Sequence, residues 1–517
     1  MHAPSEPTPE APPVGAQPSA ECSMLLGEVR RFARRHVDAA AIERAGRVPE
    51  EVVRGLADLG LFGMALPVEH GGAGLTLRDA CAVIAELATW DRSVATMVGL
   101  HTGLGTRGIV AHGVADVAAS VLPRLATGEW IGAFAATEAS AGSDLMAVRT
   151  TARLEGDTIA LDGEKSYVTN GRIAGCYTVL ARTGARGHAL VLVPKDTPGL
   201  GIGAEENKLG IRASSTVTVS FADVRVPASH LLGSSDRGLE AAYAVLSWGR
   251  TLMASGCVGT MRAALDACVA HVTSRRQFRR LLGDFSAVKT RVADQAAMLF
   301  ATEALVDSAA TALDRGDPAE ALTMAVKVFA SERAFEACDG AIQLHGALGV
   351  LEDAGVARLL RDCRVTRIFE GANDVLLLRI AAARLTGRAR ATRLRARYVS
   401  LPDLAEECDS LAEHLDAAAD ALRAAYGAAI VGKQGVLIHL GRAEVAHLAA
   451  VAAVVHATSE DDDTVTLAVR RLLRDATGEL DALADTADVE RVSARVADRL
   501  YAAAEPDADG AGQRRAS

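Results

Sequence analysis

At 517 residues, half of them apolar, the chain has length for roughly three or four domains and for a sizeable buried core. Its formal net charge of −10 excludes nucleic acid as the main partner, because phosphate binding needs a basic face. The eight cysteines, Cys22, Cys81, Cys176, Cys257, Cys268, Cys338, Cys363 and Cys408, include no C-x-x-C, and no histidine stands at metal-ligand spacing; they read as reduced core residues of a cytoplasmic protein that holds no metal.

Residues 1–20 are rich in Pro and Ala and lack both a basic and an apolar region, so they read as a disordered tail and not as a signal peptide. Residues 21–130 form a helical domain: Met24, Leu25, Val29 and Phe32, then Val53, Leu56 and Leu59, then Val83, Ile84 and Leu87 recur at helical spacing. Residues 131–237 form a middle β domain, where Val217, Val219 and Phe221 alternate with Thr216, Thr218 and Ser220, and the run Leu190 to Val193 is closed by Pro194. Residues 238–387 return to long helices, with Met253, Cys257, Met261, Leu265, Val269 and Val272 on one stripe. Residues 388–505 are an additional helical domain carrying Leu404, Leu411, Leu415 and Leu422, then Val445, Leu448, Val451 and Val455; residues 506–517 are a second disordered tail. The fold class is α+β, mostly α, and the order α, β, α excludes a Rossmann fold. No internal repeat is present, and no segment reaches the eighteen or so apolar residues that spanning a bilayer needs; the run Leu448 to Val455 reads as a buried helix.

The chemistry concentrates in two places. In the segment from Arg361 to Asp374, Glu370 sits between the apolar pair Ile368-Phe369 and the flexible Gly371. A carboxylate in such surroundings loses hydration, and its proton affinity rises toward what a general base needs near neutral pH; taken alone, the same setting also suits a surface or capping residue. Upstream, Phe134 to Asp144 and Tyr167 to Gly171 combine small residues, which allow close backbone approach, with the hydroxyls of Thr137, Ser143 and Thr169, which could bond a polar ring edge or a phosphate. An ordinary Ser/Gly turn is the plainer alternative.

Together, the order and spacing of these segments resemble the acyl-CoA dehydrogenase family, with its T-E-x-x-x-G-S-D, Y-x-T-N-G and I-F-E-G motifs. The resemblance takes in Glu69 to Leu75 (E-x-G-G-x-G), Ser274 to Phe278 (R-x-x-F) and Gln343 to Gly349 (Q-x-x-G-G-x-G), and covers about Glu21 to Gly387. The last domain, around Gly432 to Leu440, is similar to the C-terminal extension of the very-long-chain branch. The resemblance implies an N-terminal helical domain, a β-barrel-like middle domain, a C-terminal four-helix bundle and bound FAD. It makes Glu370 the base that takes the α-proton of an acyl-CoA while flavin N5 accepts the β-hydrogen as hydride, giving a trans-2-enoyl-CoA. It implies cofactor contacts at Phe134, Ala136, Thr137, Gly142, Ser143, Tyr167, Thr169, Asn373 and Asp374. Arg275 and Gln277, with Gln343, His345 and Gly346 of a neighbouring subunit, would hold the pyrophosphate and adenosine, which requires a homodimer or tetramer. Substrate contacts carry over to Ser143, Gly249, Arg250 and Gly371, and the electrons would pass to an electron-transferring flavoprotein.

Three departures from the family pattern lower the expected flavin affinity: Ala372 in place of Thr, Ala347 in place of the second Gly of its turn, and Ala139-Ser140 where Pro is common. The run Arg358, Arg361, Arg364, Arg367 reads as a solvated or subunit-facing helix surface. Gly99 and Gly103, one helical turn apart beside His101, either deepen an acyl channel or serve close helix packing, and with the extension they suggest a long or bulky acyl group. The stretch Ala405 to Ala424 sets Glu406, Glu407, Asp409, Glu413, Asp416 and Asp420 against Arg423, which an anionic bilayer would repel. Two rivals share the fold: a flavin oxidase or monooxygenase acting on a CoA- or carrier-protein-bound thioester, and a non-catalytic acyl-CoA-binding assembly protein.

Overall fold

The computed structural model of the chain describes residues 18–388 except 186, residue 394, residues 400–458 and 462–483, residue 486 and residues 493–497. The two expected tails, apart from residues 18–20, lie outside the described residues. Among the helices that open the chain, those at Ala20–His36, Ala39–Ala45, Leu77–Trp90 and Arg92–Leu100 start at side-chain caps. In α1 (Ala20–His36) the Ser19 hydroxyl accepts from the backbone N–H of Cys22; α2 (Ala39–Ala45) and α3 (Glu50–Asp58) follow. In α4 (Leu77–Trp90) Thr76 accepts from Asp79, and in α5 (Arg92–Leu100) the Asp91 carboxylate accepts from Val94 at 2.8 Å. After α5 the chain makes a π-helical turn over His101–Gly105 before α6 (Arg107–His112) and α7 (Ala115–Ala126). Such turns concentrate at functional sites because they re-aim the following backbone.

The middle domain is a sheet of β1 (Ile131–Ala135), β2 (Thr151–Glu155), β3 (Thr158–Thr169), β4 (Ala174–Arg182), β5 (His188–Pro194), β6 (Leu200–Glu205), β7 (Thr216–Pro227) and β8 (Leu231–Leu232). The order is β6-β7-β3-β2-β4-β5-β8, with β1 parallel to β4. The alternation read in the sequence is the inner face of β7, where Val217, Val219 and Phe221 are buried. Edge strands β6 and β8 do not pair with each other among the described residues, and the sheet is the expected barrel-like middle domain.

Long helices complete the core: α8 (Gly238–Ser274), then the hairpin of β9 (Arg276–Gln277) and β10 (Arg280–Leu281), then α9 (Ser286–Asp314), α10 (Glu320–His345), α11 (Val356–Arg364) and α12 (Asn373–Leu385). The expected additional domain is α13 (Pro402–Tyr426), α14 (Gln434–Val455) and α15 (Asp463–Asp481). It is seated on the bundle by backbone-close contact: a Cβ at Gly441 would lie 2.5 Å from Leu377 O. Beside that contact Arg384 of α12, 2% exposed, donates to Asp416 of α13 at 2.7 Å and to Glu444 of α14, a charge triad that specifies how the three helices meet.

One expectation is corrected here. By length and composition, α8, α9 and α14 are each apolar enough to cross a membrane, although the sequence reading found no such segment. Their apolar windows are 67%, 56% and 72% buried within the fold, as helices that are apolar all round must be when they form a core. None of the three is an unbroken apolar run, because isolated polar residues such as Arg250 and Glu444 interrupt them; averaged over a window, these helices are apolar.

Candidate functional site

The turn after β1 is organised by a buried ion pair. Lys165 Nζ donates to Ala136 O at 2.9 Å and to Glu138 Oε1 at 2.8 Å, while Glu138 also accepts from the backbone N–H groups of Arg149 and Thr150. Burial pushes the Lys165 pKa down to about 8, with Glu138 opposing that fall. The pair therefore serves the scaffold. It leaves Thr137 and Ser143 free to face a cleft of about 930 Å³, together with Phe134, Ala136, Gly142, Tyr167 and Thr169. Tyr167 holds its ring 65% exposed at this cleft on a left-handed backbone, φ 56°, a conformation costly for a bulky residue.

The opposite wall brings Arg250 of α8 together with Glu370 and Gly371. Glu370 is also left-handed, at φ 57°, and Gly371 lies at φ 109°, where only glycine is unstrained. Two buried cations hold this turn. Arg250 Nε donates to Glu370 O at 3.0 Å, and Lys327 Nζ donates to Gly371 O at 2.7 Å and to Asn373 Oδ1 at 2.7 Å. Consecutive carbonyls are thus clamped by charge-assisted bonds, which offset a left-handed cost of about 1–2 kcal/mol.

The Glu370 carboxyl points inward. Its Oε2 is shut from solvent without a hydrogen-bond partner, and a Cβ on Gly249 would lie 3.0 Å from it, so glycine at 249 makes the room. Burial raises the Glu370 pKa to about 7, against the pull of Arg250, Lys327 and Arg92. Behind the carboxyl a narrow second cavity continues inward between Ile84, Gly99, Leu252 and Met253. At Gly99 a Cβ would meet Ile84 at 3.7 Å, an ordinary packing contact, so this glycine faces the Ile84 side chain. Gly103 serves close packing instead: its Cβ would lie 2.8 Å from Leu252 and 3.2 Å from Gly249. His101, in the π turn between them, is fully buried; Nε2 lies 2.9 Å from Phe62 O and Nδ1 accepts from Gly132 N at 2.9 Å, while burial pushes its pKa down to about 4. It is a neutral strut that joins the π turn to β1.

The remaining expected site residues lie elsewhere. Asn373 is buried in a network, donating to Ser331 and Glu332, and Asp374 lines a different cleft at the α14 and α15 face. The structure does not bring either to the Glu370 cleft. Arg275, Gln277, Gln343 and Gly346 are exposed at the far ends of α8 and α10, which are joined there by stacking of His271 on His345 at 4.3 Å. Arg275 is 25 residues beyond Arg250, which is about 37 Å along a helix at 1.5 Å per residue. Within one chain the two groups cannot share a small ligand. Of the arginine run, Arg361 pairs with Glu43 and Glu352, and Arg367 with Glu332, all within the chain.

Sequence reasoning missed Lys327, Arg92 and Arg379. A single cation inside an apolar run is the available signal: Lys327 interrupts Met324 to Ala330, and Arg92 precedes Val94 to Val98. Arg379 lines the cleft, bonded to Glu320 and lying 4.7 Å from the Tyr243 ring.

Comparison with known proteins bears on this geometry. The family models described as acyl-CoA dehydrogenase N-terminal, middle and C-terminal domain match residues 19–129, 133–224 and 236–385. The very-long-chain-specific acyl-CoA dehydrogenase of Bos taurus mitochondria is 35% identical over 369 residues, 69% of this chain and 56% of that relative, so the match spans little more than half the length of that protein. A probable acyl-CoA dehydrogenase of Mycobacterium tuberculosis is 35% identical over 358 residues, 68% of this chain and 92% of its own length. Among solved structures, an acyl-CoA dehydrogenase complexed with FAD from Bacillus anthracis superposes with a TM-score of 0.80 at 25% identity, covering 90% of this chain and 88% of the other.

Proposed function

The chain belongs to the acyl-CoA dehydrogenase family, an FAD-dependent family, and on that premise we propose that it desaturates an acyl-CoA thioester next to its carbonyl, with Glu370 as the base. One observation carries the reading: a carboxyl with an unpartnered buried oxygen and a pKa near 7 faces a cleft whose other wall is small residues and hydroxyls. That wall suits a flavin. Thr137, Ser143 and Thr169 offer hydroxyls to a polar ring edge, Ala136 and Gly142 allow close approach, and the exposed, strained Tyr167 ring gains cover from a planar ligand. When bound there, FAD supplies the acceptor for the β-hydrogen.

The chain's own residues do the rest. Glu370, about half ionised near neutral pH, takes the α-proton into a pocket that water does not reach at Oε2. Arg250 and Lys327 keep it aimed by fixing the carbonyls of residues 370 and 371. Arg250 Nη1, also buried without a partner, adds positive charge beside the enolate-like charge that develops as the proton leaves. We further propose a cytoplasmic homodimer or tetramer that passes electrons to an electron-transferring flavoprotein. Arg275 and Gln343, remote from the cleft of their own chain, would serve the site of another copy. The test is anaerobic addition of a panel of acyl-CoA thioesters to the purified flavoprotein. Bleaching of the flavin absorption by at least one is expected, and a flavin unchanged by all of them overturns the reading. Oxygen consumption during turnover would replace the flavoprotein partner with an oxidase reaction.

A further inference from the structure

The Glu370 cleft is closed at one end and open at the other, and the open end carries a cation with unused donors. Along α8 burial falls toward the N-terminus: Leu252, at the narrow inner cavity, is 1% exposed and Arg250 is 2% exposed, while Tyr243, about two turns further out, is only half-buried. Arg379 of α12 stands beside Tyr243 at this outer end, its side chain 35% exposed. Nη2 donates to Glu320 Oε1 at 2.6 Å, and the guanidinium lies 4.7 Å from the centre of the Tyr243 ring. Nε and Nη1 have no hydrogen-bond partner among the described residues, and neither has the Tyr243 hydroxyl. An arginine carries five N–H donors in a planar fork, so most of this one still faces the cleft and the solvent.

A thioester has two arms, and the walls sort them. The inner cavity is narrow and lined largely by Ile84, Ala95, Leu252, Met253 and Phe369, so a polar, hydrated carrier arm would lose its water there without replacement. That arm therefore leaves through the open end, past Leu246 and Tyr243. From Arg250 out to Tyr243 is about 10 Å along the helix. A phosphopantetheine arm is about a dozen bonds from sulfur to phosphorus and spans ~15 Å when extended, which brings its phosphate within reach of an arginine side chain at the level of Tyr243. Charge at this end favours an anion. Burial pushes the Arg250 pKa down to about 10 and the Arg379 charge adds to the fall, so the two guanidinium groups repel each other across the wall, and a phosphate beside Arg379 relieves that repulsion.

We infer that Arg379 makes the cleft select thioesters whose carrier arm bears a phosphate, with Nε and Nη1 donating to the phosphate oxygens, the Tyr243 hydroxyl as a further donor, and Glu320 holding the guanidinium in place. This rests on the thioester-oxidising reading above and names a specificity-determining residue within it. The phosphate in question is common to coenzyme A and to the prosthetic arm of a carrier protein, so the contact serves either source. It lies far from the reacting carbons and is the same before and during proton removal, so it acts on KM and not on kcat. Screened by water and shared with Glu320, the contact contributes about five-fold in affinity.

The test presents one acyl group to the full-length flavoprotein on four carriers: pantetheine, 4′-phosphopantetheine, coenzyme A and a carrier protein. We expect kcat/KM about five-fold higher for the 4′-phosphopantetheine thioester than for the pantetheine thioester, the difference residing in KM, and a ratio below about two for Arg379→Met, with Arg379→Lys in between. Glu320→Gln removes the carboxylate that competes for the guanidinium and should raise the ratio, which keeps the test open if Arg379→Met does not fold. A KM raised by Arg379→Met on the coenzyme A thioester, or on the carrier-protein thioester alone, supports the contact and says which source supplies the phosphate. A parent enzyme that does not distinguish 4′-phosphopantetheine from pantetheine overturns the inference while leaving thioester oxidation standing. So does a ratio unmoved by Arg379→Met, or by Glu320→Gln where the first variant does not fold. If no thioester bleaches the flavin, the underlying reading fails, and calorimetric binding of coenzyme A decides the arginine: affinity lowered about five-fold by Arg379→Met keeps its role, and equal affinity overturns it as well.

Discussion

Lys327→Met is the sharpest probe of the site, because it removes a charge without touching the cleft wall. Lys327 Nζ, buried, donates at 2.7 Å to Gly371 O and at 2.7 Å to Asn373 Oδ1; burial pulls its pKa down to about 7, but both neighbours are oxygen acceptors and Glu370 is close, so the ammonium form is favoured. Losing two charge-assisted bonds at about 1.5–3 kcal/mol each, offset in part by no longer burying an ammonium, should lower unfolding stability by about 2–4 kcal/mol. The catalytic effect has a sign. The Lys327 charge is among those holding the Glu370 pKa down to about 7 against burial, so its removal moves that pKa up, by on the order of one unit. At pH 7 about half of Glu370 is ionised in the parent, and about one molecule in ten would be in the variant. The kcat/KM at pH 7 should therefore fall about five-fold from this cause alone, and the loss should shrink as pH rises beyond about 9, where both are ionised. The assay is kcat/KM against pH from about 6 to 10 on the best thioester, with flavin content measured in parallel. An acidic limb at the parent's position in a folded, flavin-loaded variant would refute the coupling and leave Lys327 with structure alone.

Glu370→Gln should keep its flavin and lose turnover by about a thousand-fold, read by absorbance and steady-state rate. It should also raise stability at pH 8 by about 3 kcal/mol, because a carboxyl whose pKa rises from 4.5 to about 7 on folding destabilises the fold as pH passes through that window; thermal melts of the two proteins should converge toward pH 4.5. Gly249→Ala puts a Cβ 3.0 Å from Glu370 Oε2 and 2.3 Å from Leu104 Cδ2, and should cut kcat at least about ten-fold with flavin retained; an unchanged kcat would show that the carboxyl is not seated against α8 during turnover. Gly441→Val should loosen the additional domain at a cost of about 1–3 kcal/mol, seen as faster proteolysis between α12 and α13 with cleavage inside the bundle unchanged.

The architecture was legible because its signals are periodic. The stripe through Met253, Cys257 and Met261 and the alternation of Val217, Val219 and Phe221 follow from one face of each element meeting a core, and the structure buries those residues. The Glu370 cleft was legible only through the motifs shared with the family, because the residues alone left a surface glutamate and an ordinary turn open; Glu370, Gly371 and Tyr167 sit at positive φ. What stayed hidden is held by contacts distant along the chain. Lys327 reads as one cation in a helix, and only packing shows that it reaches a carbonyl 44 residues away. Arg92 reads as an ordinary helix start until α8 is laid against it. Asn373 and Asp374 lie three and four residues after the base, but entering α12 turns them toward Ser331 and Glu332 and toward the α14 face. The membrane-length helices are hidden in the sequence because isolated charges break their apolar runs.

The backbone at position 370 has an evolutionary consequence. A left-handed glutamate with a desolvated carboxyl carries a backbone and a solvation cost, and glycine, reachable from a glutamate codon by a single base change, would relieve both burdens at once. Decay of the enzyme into an inert scaffold would therefore run thermodynamically downhill, with the decayed descendant melting at a higher temperature than its ancestor, and only continued demand for the reaction keeps the acidic side chain in place.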